Sequence, residues 1–221
     1  MNNRAFGIVF AGIAALALSP VLAGSASASV VSDPTGDFLG TYTGPTGADL
    51  DVTSLAVRLS GSDFKVHTVL AGNVGTTAGG FYVYGVDRGG AGAPFLPQGL
   101  DKVLFNSVVI VRQDGSGLVV NFGGATTPIA HFATFNANTI DFTLSSALLP
   151  STGSAADRYG WNLWPRSAGG PFAFISDFAP NNGILSVVPE PAPWAMMTLG
   201  IGLLGWATRR RARRSSVVVS G

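Results

Sequence analysis

Residues 103–122 read VLFNSVVIVR-QDGSG-LVVNF, two apolar runs joined by a short turn rich in glycine. Valine, isoleucine and phenylalanine are favoured in strands. Asp114-Gly115 supplies the positive φ that a tight hairpin turn requires. The stretch therefore predicts an antiparallel hairpin with strands at 103–112 and 118–122.

The same strand pattern continues on both sides of this hairpin. Leu55, Val57 and Leu59 alternate with smaller or polar residues, and Gly61 then turns the chain into a second alternating run at 64–70. Further strands are predicted at 81–86, 129–135, 140–144, 159–163, 172–175 and 184–188. A single helical turn is predicted near 146–149. About nine or ten short strands separated by Gly, Pro and Asn are typical of an antiparallel β-sandwich. We predict one such mainly β domain over residues 29–187.

The N-terminus has the organisation of a secretory signal peptide. Arg4 precedes an uncharged apolar run at 5–18, and Ser19-Pro20 ends that run. Ala26-Ser27-Ala28 has the small residues that a signal peptidase requires. We therefore predict a signal peptide at 1–28 with cleavage before Ser29; cleavage after Ala23 or Ala26 and a permanent N-terminal anchor are the alternatives.

The C-terminus combines a proline-rich entry, an uncharged segment and a basic cluster. Pro189-Glu190-Pro191 precedes the apolar residues 194–208, and the basic cluster is Arg209, Arg210, Arg211, Arg213 and Arg214. Fifteen helical residues span only ~22 Å of a ~30 Å hydrocarbon core, so the predicted transmembrane helix is a weak anchor. Arginines stay cytoplasmic, which places the β domain on the far side of the membrane. A buried C-terminal helix of the domain is the alternative.

The two prolines of this entry predict a backbone that stands apart from the sheet. Proline fixes φ and lacks an N–H donor. We therefore expect the segment around Pro189 and Pro191 to stay out of any strand ladder and to lie extended at the membrane surface.

In order and spacing, residues 188–221 resemble the PEP-CTERM sorting signal, which exosortases recognise in Gram-negative bacteria that produce exopolysaccharide. The resemblance implies that the tail is held transiently in the inner membrane, is cut near Pro189-Glu190-Pro191, and is removed. It also implies delivery to the cell surface or extracellular matrix, with signal peptidase and exosortase as processing partners. Residues 215–221 continue past the point where such tails commonly end, and we have no account of them.

Both predicted signals are basic, and removing them changes the charge of the protein. The chain has 13 basic and 12 acidic residues, a net charge of +1. Arg4 and the five tail arginines account for six basic residues, so residues 29–190 keep seven (13 − 6) against 12 acidic residues, a net charge of −5. An acidic domain does not favour nucleic acid. The chain has no cysteine, which excludes disulfides and thiolate chemistry.

Catalytic signatures are scarce in the β domain. Glu190 is the single glutamate, and it belongs to the tail. His67 and His131 fall in predicted strands without a nucleophile elbow nearby. No zinc-protease or phosphate-loop motif is present. We predict that the chain is not an enzyme, and an aspartate-based glycan hydrolase is the weaker alternative.

Four aspartates form the one acidic constellation in the sequence: Asp33, Asp37, Asp49 and Asp51. Carboxylates on a turn containing glycine, followed by an Asp-x-Asp pair, could supply part of a Ca²⁺ shell. We favour turn capping, because the number of ligands is short and Asp-Pro and Gly-Asp sequences commonly cap turns. The prediction is therefore no cofactor and no metal, with Ca²⁺ as the alternative.

The domain itself carries a much looser resemblance. Asp33, Gly36-Asp37, Asp49-Leu50-Asp51 and Asp177-Phe178-Ala179-Pro180 resemble scattered positions of the β-sandwich modules of bacterial extracellular glycan-active proteins.

Tyr159, Trp161 and Trp164 form an aromatic group that could stack on sugars, so a carbohydrate-binding module is the second function considered. Core packing explains the same rings, and we favour it, since large rings fill the space between sheets. Burial of the three rings would favour a structural or adhesive role associated with exopolysaccharide, whereas exposed, coplanar rings would favour sugar binding.

Overall fold

The computed structural model describes residues 28–189 and 201–202. The predicted signal peptide up to residue 27, the arginine cluster and all but two residues of the predicted transmembrane helix therefore lie outside the described residues. Within the described ranges, no helix has the length and hydropathy needed to cross a membrane. Residues 28–189 belong to one compact unit.

Twelve short strands account for most of the regular structure in these ranges. They are β1 (Ser29–Ser32), β2 (Val52–Ser60), β3 (Asp63–Leu70), β4 (Phe81–Asp87), β5 (Ser107–Arg112), β6 (Gly117–Asn121), β7 (Thr126–Ile129), β8 (Ala133–Asn136), β9 (Thr139–Ser145), β10 (Gly160–Arg166), β11 (Leu185–Ser186) and β12 (Val188–Pro189). Single 3₁₀ turns lie at Ala48–Leu50, Leu96–Gln98, Ser146–Leu148, Ala156–Arg158 and Phe172–Phe174. The predicted turn near 146–149 is thus present.

The strands form two six-stranded sheets. Sheet A has the order β1-β2-β3-β9-β8, with β12 also paired to β2, and sheet B has the order β11-β10-β4-β5-β6-β7. Every pairing is antiparallel except β12 with β2. The predicted mainly β, antiparallel class is confirmed for the described residues.

The predicted hairpin is formed by β5 and β6. Val111 pairs with Gly117, and Gly115 adopts φ +78° in the turn between the strands. The first strand begins at Ser107, however, not at residue 103. Val103 and Phe105 are apolar because they pack against the outer face of sheet B, and Phe105 makes only an isolated bridge to Gly92.

Aromatic rings from the two sheets meet in one buried core. Phe64 of β3 stacks on Tyr159 with ring centroids 5.6 Å apart, and its centroid lies 5.2 Å from that of Trp161 in β10. Tyr84 of β4 contacts the ring of Phe142 in β9 at 5.0 Å, and its hydroxyl bonds the Thr68 hydroxyl at 2.9 Å. The inner faces of both sheets are therefore packed against each other.

A second apolar cluster covers the outer face of sheet B. It contains Val83, Val103, Phe105, Val108, Trp164, Ile175 and Phe178. Phe95 joins it from the preceding loop, with its ring 5.3–5.4 Å from four other rings. Strands β4 and β10 are consequently buried on both faces, which explains why neither shows the alternation of a half-exposed strand.

Three parts of the predicted strand pattern were wrong. The run 129–135 is broken at His131, where φ is +46°, and its halves belong to β7 of sheet B and β8 of sheet A. Residues 172–174 form a 3₁₀ turn after Pro171. Strand β1 was not predicted, because four residues with an exposed Val30 carry little hydrophobic signal.

The expectation that the proline-rich entry avoids the sheet was also wrong. Val188 and Pro189 pair in parallel with Arg58 and Leu59 of β2. Strand β1 pairs with one edge of β2 as far as Val57, and β12 continues along that same edge. Strand β3 pairs with the opposite edge of β2. Proline is tolerated at such an edge because its missing donor interrupts no central ladder.

The inner core yields a first prediction. Phe64→Ala should lower the free energy of unfolding by about 3–5 kcal/mol, because the ring is fully buried between the sheets. Urea denaturation of the full chain measures this loss. Val30→Ala is the control, since Val30 is 59% exposed and its truncation should change stability by no more than about 0.5 kcal/mol. Equal losses in the two variants would contradict the assigned core.

Candidate functional site

The acidic residues near the start of the domain lie on a tight turn after β1. The Asp33 N–H donates to the Thr53 carbonyl at 3.0 Å, which extends the pairing of β1 with β2 by one residue. Gly36 then adopts φ +84°, a conformation that glycine accepts at little cost. The turn brings Asp37 back toward Asp33.

Asp51 lies beneath this turn, just before β2. Its Oδ2 accepts a hydrogen bond from the Gly36 N–H at 2.8 Å. The residue is only 3% exposed, and its Oδ1 is buried without a hydrogen-bond partner among the described residues. Asp33 Oδ2 and Asp37 Oδ1 are likewise buried and unpartnered there.

Asp177 reaches the same place from the far end of the chain. It is 1% exposed, and its Oδ2 accepts the Val52 N–H at 2.9 Å while its Oδ1 accepts the Phe178 N–H at 2.6 Å. One carboxylate oxygen from each of Asp33, Asp37 and Asp177 lies within 4.8 Å of the others. We refer to Asp33, Asp37, Asp51 and Asp177 as the aspartate cluster.

Burial and mutual repulsion raise the proton affinity of the aspartate cluster. Burial, with the charges of Asp177, Asp37 and Asp51, raises the pKa of Asp33 to about 8. Burial, with a contribution from Asp37, raises the pKa of Asp177 to about 7, although the Val52 N–H opposes the shift. Burial also raises the pKa of Asp51. Each charge that acts on Asp33 belongs to another aspartate, so ionised forms of the cluster repel one another.

The fourth aspartate of the sequence constellation has a different role. Asp49 accepts hydrogen bonds from the Thr77 N–H at 2.8 Å and from the Thr77 hydroxyl at 2.5 Å. It therefore caps a loop, as the turn-capping interpretation supposed. Asp177 takes its place in the cluster. Asp177 belongs to a loose resemblance in the sequence, but no local pattern groups it with residues more than 120 positions earlier.

The structure places the three candidate sugar-binding rings inside the protein. Tyr159 and Trp161 belong to the core between the sheets, and Trp164 belongs to the cluster outside sheet B. None is more than 2% exposed. The Tyr159 hydroxyl donates to the Leu149 carbonyl at 3.0 Å. These rings offer no face on which a sugar could stack.

The two histidines are separate from the aspartate cluster and from each other. His67 lies on the exposed face of β3, and its Nδ1 is 2.6 Å from Asp141 Oδ1, with both side chains 49% exposed. His131 lies in the turn between β7 and β8, so its predicted strand position was wrong.

The processing residues are only partly described. Ser29 is the first residue of β1 and pairs with Val57, and Ala28 directly precedes it. Pro189 is the last residue of β12. Ala26, Glu190, Pro191 and the five tail arginines lie outside the described residues.

Comparison with known families matches residues 187–211 to a family described as the PEP-CTERM protein-sorting motif. The chain carries a PEP-CTERM sorting motif. The match includes Pro189-Glu190-Pro191, the predicted helix 194–208 and the first three arginines of the cluster. The resemblance on which the sorting hypothesis was based is thereby confirmed. No curated protein and no solved structure matches the chain.

The raised pKa values predict that the stability of the folded protein falls as the pH rises. The protein is treated with chelator for this test, so that no metal ion neutralises the carboxylates. The ordinary aspartate pKa is 3.8, so between that value and about 8 the folded state holds protons that the unfolded state releases. The protonated carboxyl groups of Asp33 and Asp177 therefore contribute their full stabilisation of the folded state below pH 3.8. This stabilisation is lost as the pH rises through their folded-state pKa values of about 8 and about 7. The Tm of the full chain should therefore fall from pH 5 to pH 8, as measured by tryptophan fluorescence.

Two asparagine variants distinguish the aspartate cluster from other ionisable groups. Asp33→Asn should flatten the decline in Tm, because it removes the carboxyl group whose pKa is raised to about 8. Asp114→Asn should retain the wild-type slope, since Asp114 is exposed and hydrogen-bonded to Ser116 within its turn. Identical slopes in both variants would assign the pH dependence to other groups.

Proposed function

We propose that this chain is an exported surface or matrix protein with a structural or adhesive role in association with exopolysaccharide, and that it is not an enzyme. The observation that carries the proposal is the PEP-CTERM sorting motif at residues 187–211, which begins at the last strand of the β domain. That motif implies export and sorting by an exosortase.

The proposed route has two cuts. Signal peptidase cleaves before Ser29, the domain enters the periplasm, and the tail holds it in the inner membrane of a Gram-negative cell. Exosortase then cuts near Pro189-Glu190-Pro191, and the protein reaches the cell surface or matrix. The fold supports the first cut, because cleavage before Ser29 leaves all four residues of β1 in the processed chain.

A sandwich of the two sheets suits a structural role. Its core is closed by cross-sheet ring contacts such as Phe64 with Trp161 at 5.2 Å. The domain thus gains a stable scaffold without disulfides, since the chain has no cysteine.

An adhesive role is supported by the outer face of sheet A. An open groove of about 400 Å³ there is lined by Arg58, Lys65 and His67, together with Asp141 and Thr134. The amine, hydroxyl and carboxylate groups of this open groove suit a polysaccharide, whose hydroxyl groups they would bind by hydrogen bonds. Such binding does not need the stacked rings of a typical carbohydrate-binding module.

The aspartate cluster does not favour the hydrolase alternative. A glycosidase requires two carboxyl groups that reach opposite sides of a sugar bond. Here the unpartnered oxygens of Asp33, Asp37 and Asp51 are buried, so a sugar ring cannot approach them.

Replacing the sorting motif tests the proposed processing. The triple variant Pro189→Ala, Glu190→Ala, Pro191→Ala should accumulate at full length in the inner membrane, while the wild-type surface form should lack residues from about 192 onward. Mass spectrometry of membrane and released fractions measures both. Pro193→Ala is the matched control, since it removes a neighbouring proline outside the motif. Recovery of the arginine cluster in released wild-type protein would contradict sorting by cleavage.

A reporter fusion tests the orientation of the tail. A reporter placed after Gly221 should be active in the cytoplasm, because arginine clusters remain on that side of the membrane. Replacing the five tail arginines by neutral residues should reduce retention of the uncut chain in the membrane fraction. Unchanged retention would show that the arginines do not act as the stop signal.

A further inference from the structure

We propose that Asp33, Asp37, Asp51 and Asp177 bind a Ca²⁺ ion that joins the two sheets at one end of the domain. This site is independent of the sorting tail and of the exopolysaccharide hypothesis. It differs from the four aspartates in the sequence constellation, because Asp177 replaces Asp49.

The spacing of the carboxylates fits a single ion. Oxygens of Asp33, Asp37 and Asp177 lie within 4.8 Å of one another. Ca²⁺ binds oxygen at roughly 2.3–2.6 Å, so two ligands of one ion can be up to about 5 Å apart. The three oxygens are therefore close enough to be ligands of one Ca²⁺ ion after small side-chain adjustments.

Turn capping explains only part of the hydrogen bonding at these residues. Asp51 Oδ2 accepts from Gly36, and Asp37 Oδ2 accepts from Asn181 at 2.9 Å. The other oxygen of each carboxylate is buried and unpartnered within the described residues, as is Asp33 Oδ2. Asp51, at 3% exposure, is the strongest case, because the Gly36 bond fixes its carboxylate under the turn that carries Asp33 and Asp37.

Buried acceptors without donors are rare in folded proteins, because leaving them unpaired is costly. Two of the three unpartnered oxygens, Asp33 Oδ2 and Asp37 Oδ1, belong to residues whose carboxylates lie close to that of Asp177. A cation bound there would satisfy such acceptors and would also reduce the repulsion between the carboxylates. Asp51, hydrogen-bonded to Gly36 of the same turn, is the proposed fourth ligand.

The chemistry of the cluster favours Ca²⁺ among common metal ions. All its donors are carboxylate oxygens, and neither histidine belongs to it. Hard cations prefer such ligands, whereas zinc and copper sites typically use imidazole or thiolate. Ca²⁺ accepts an irregular shell of six to eight oxygens, so water and backbone carbonyls can complete it, while Mg²⁺ demands near-octahedral geometry.

The ion would link three segments that are distant in sequence. Asp33 and Asp37 lie on the turn after β1, and Asp51 directly precedes β2. Strands β1 and β2 belong to sheet A. Asp177 lies beside Ala179, which pairs with Leu163 of β10 in sheet B. Binding would therefore stabilise the folded state and fix the edge strand β1.

Calcium titration of the full chain, purified in mild detergent and stripped with chelator, tests the site. We expect a rise in Tm of about 5–10 °C in roughly 100-fold excess over Kd, read by tryptophan fluorescence. Calorimetry should give one site per chain, with a Kd of about 10⁻⁴–10⁻³ M if it resembles other extracellular modules. Mg²⁺ should give a clearly smaller shift. No shift with Ca²⁺, or an equal shift with Mg²⁺, would overturn the proposal.

Two variants locate the ion. Asp37→Asn preserves the shape of a partly exposed side chain and should weaken Ca²⁺ binding at least about tenfold, because it removes one charged ligand. Asp49→Asn is the matched control: it lowers basal Tm by disturbing the bond to Thr77 but should retain the full Ca²⁺-induced shift. Loss of the shift in Asp49→Asn, or its retention in Asp37→Asn, would contradict the assigned ligands.

Discussion

The segment 176–179 connects both sheets, and the rest of the structure depends on its hydrogen bonds. Ala179 exchanges two backbone bonds with Leu163 of sheet B, at 2.8 and 2.9 Å. Ser176 Oγ donates to the Leu50 carbonyl at 2.7 Å, and Asp177 accepts the Val52 N–H at the start of sheet A. Phe178 packs in the outer cluster, whereas Ala179 packs in the inner core. Four consecutive residues thus contribute to both apolar clusters, to both sheets and to the aspartate cluster.

Local patterns in the sequence predict the pairings between strands that are close in the chain. The β2–β3 hairpin follows from alternating residues, and the β5–β6 hairpin follows from two apolar runs; a turn that contains glycine joins the strands in each. The same reasoning fails where apolar residues are buried for another reason. Val103 and Phe105 look like strand residues but cover the outer face of sheet B, and the run 129–135 conceals a change of sheet at His131. Burial by distant segments leaves no period in the local sequence.

The candidate site shows the same limit. Asp33, Asp37 and Asp51 lie within 19 positions, so proximity in sequence suggested a shared site. Asp177 could not be grouped with them, because only the return of the chain beside β2 brings it there. Asp49 was included only because it is close in sequence, and its bonds to Thr77 take it elsewhere. The aromatic residues near Trp161 were open to two interpretations, since a ring looks the same in sequence whether it is buried or exposed.

The parallel pairing of β12 has a geometric consequence for the processed protein. Ser29 pairs with Val57, and Val188 pairs with the next residue of β2, Arg58. A chain cut before Ser29 and shortly after Pro189 would therefore have its new amino and carboxyl termini side by side on one edge of sheet A. Anything attached through either terminus would be tethered at the same pole of the domain, and the opposite pole would be presented outward. If both proposed cuts occur, an attachment at either terminus would therefore hold the domain by the same end.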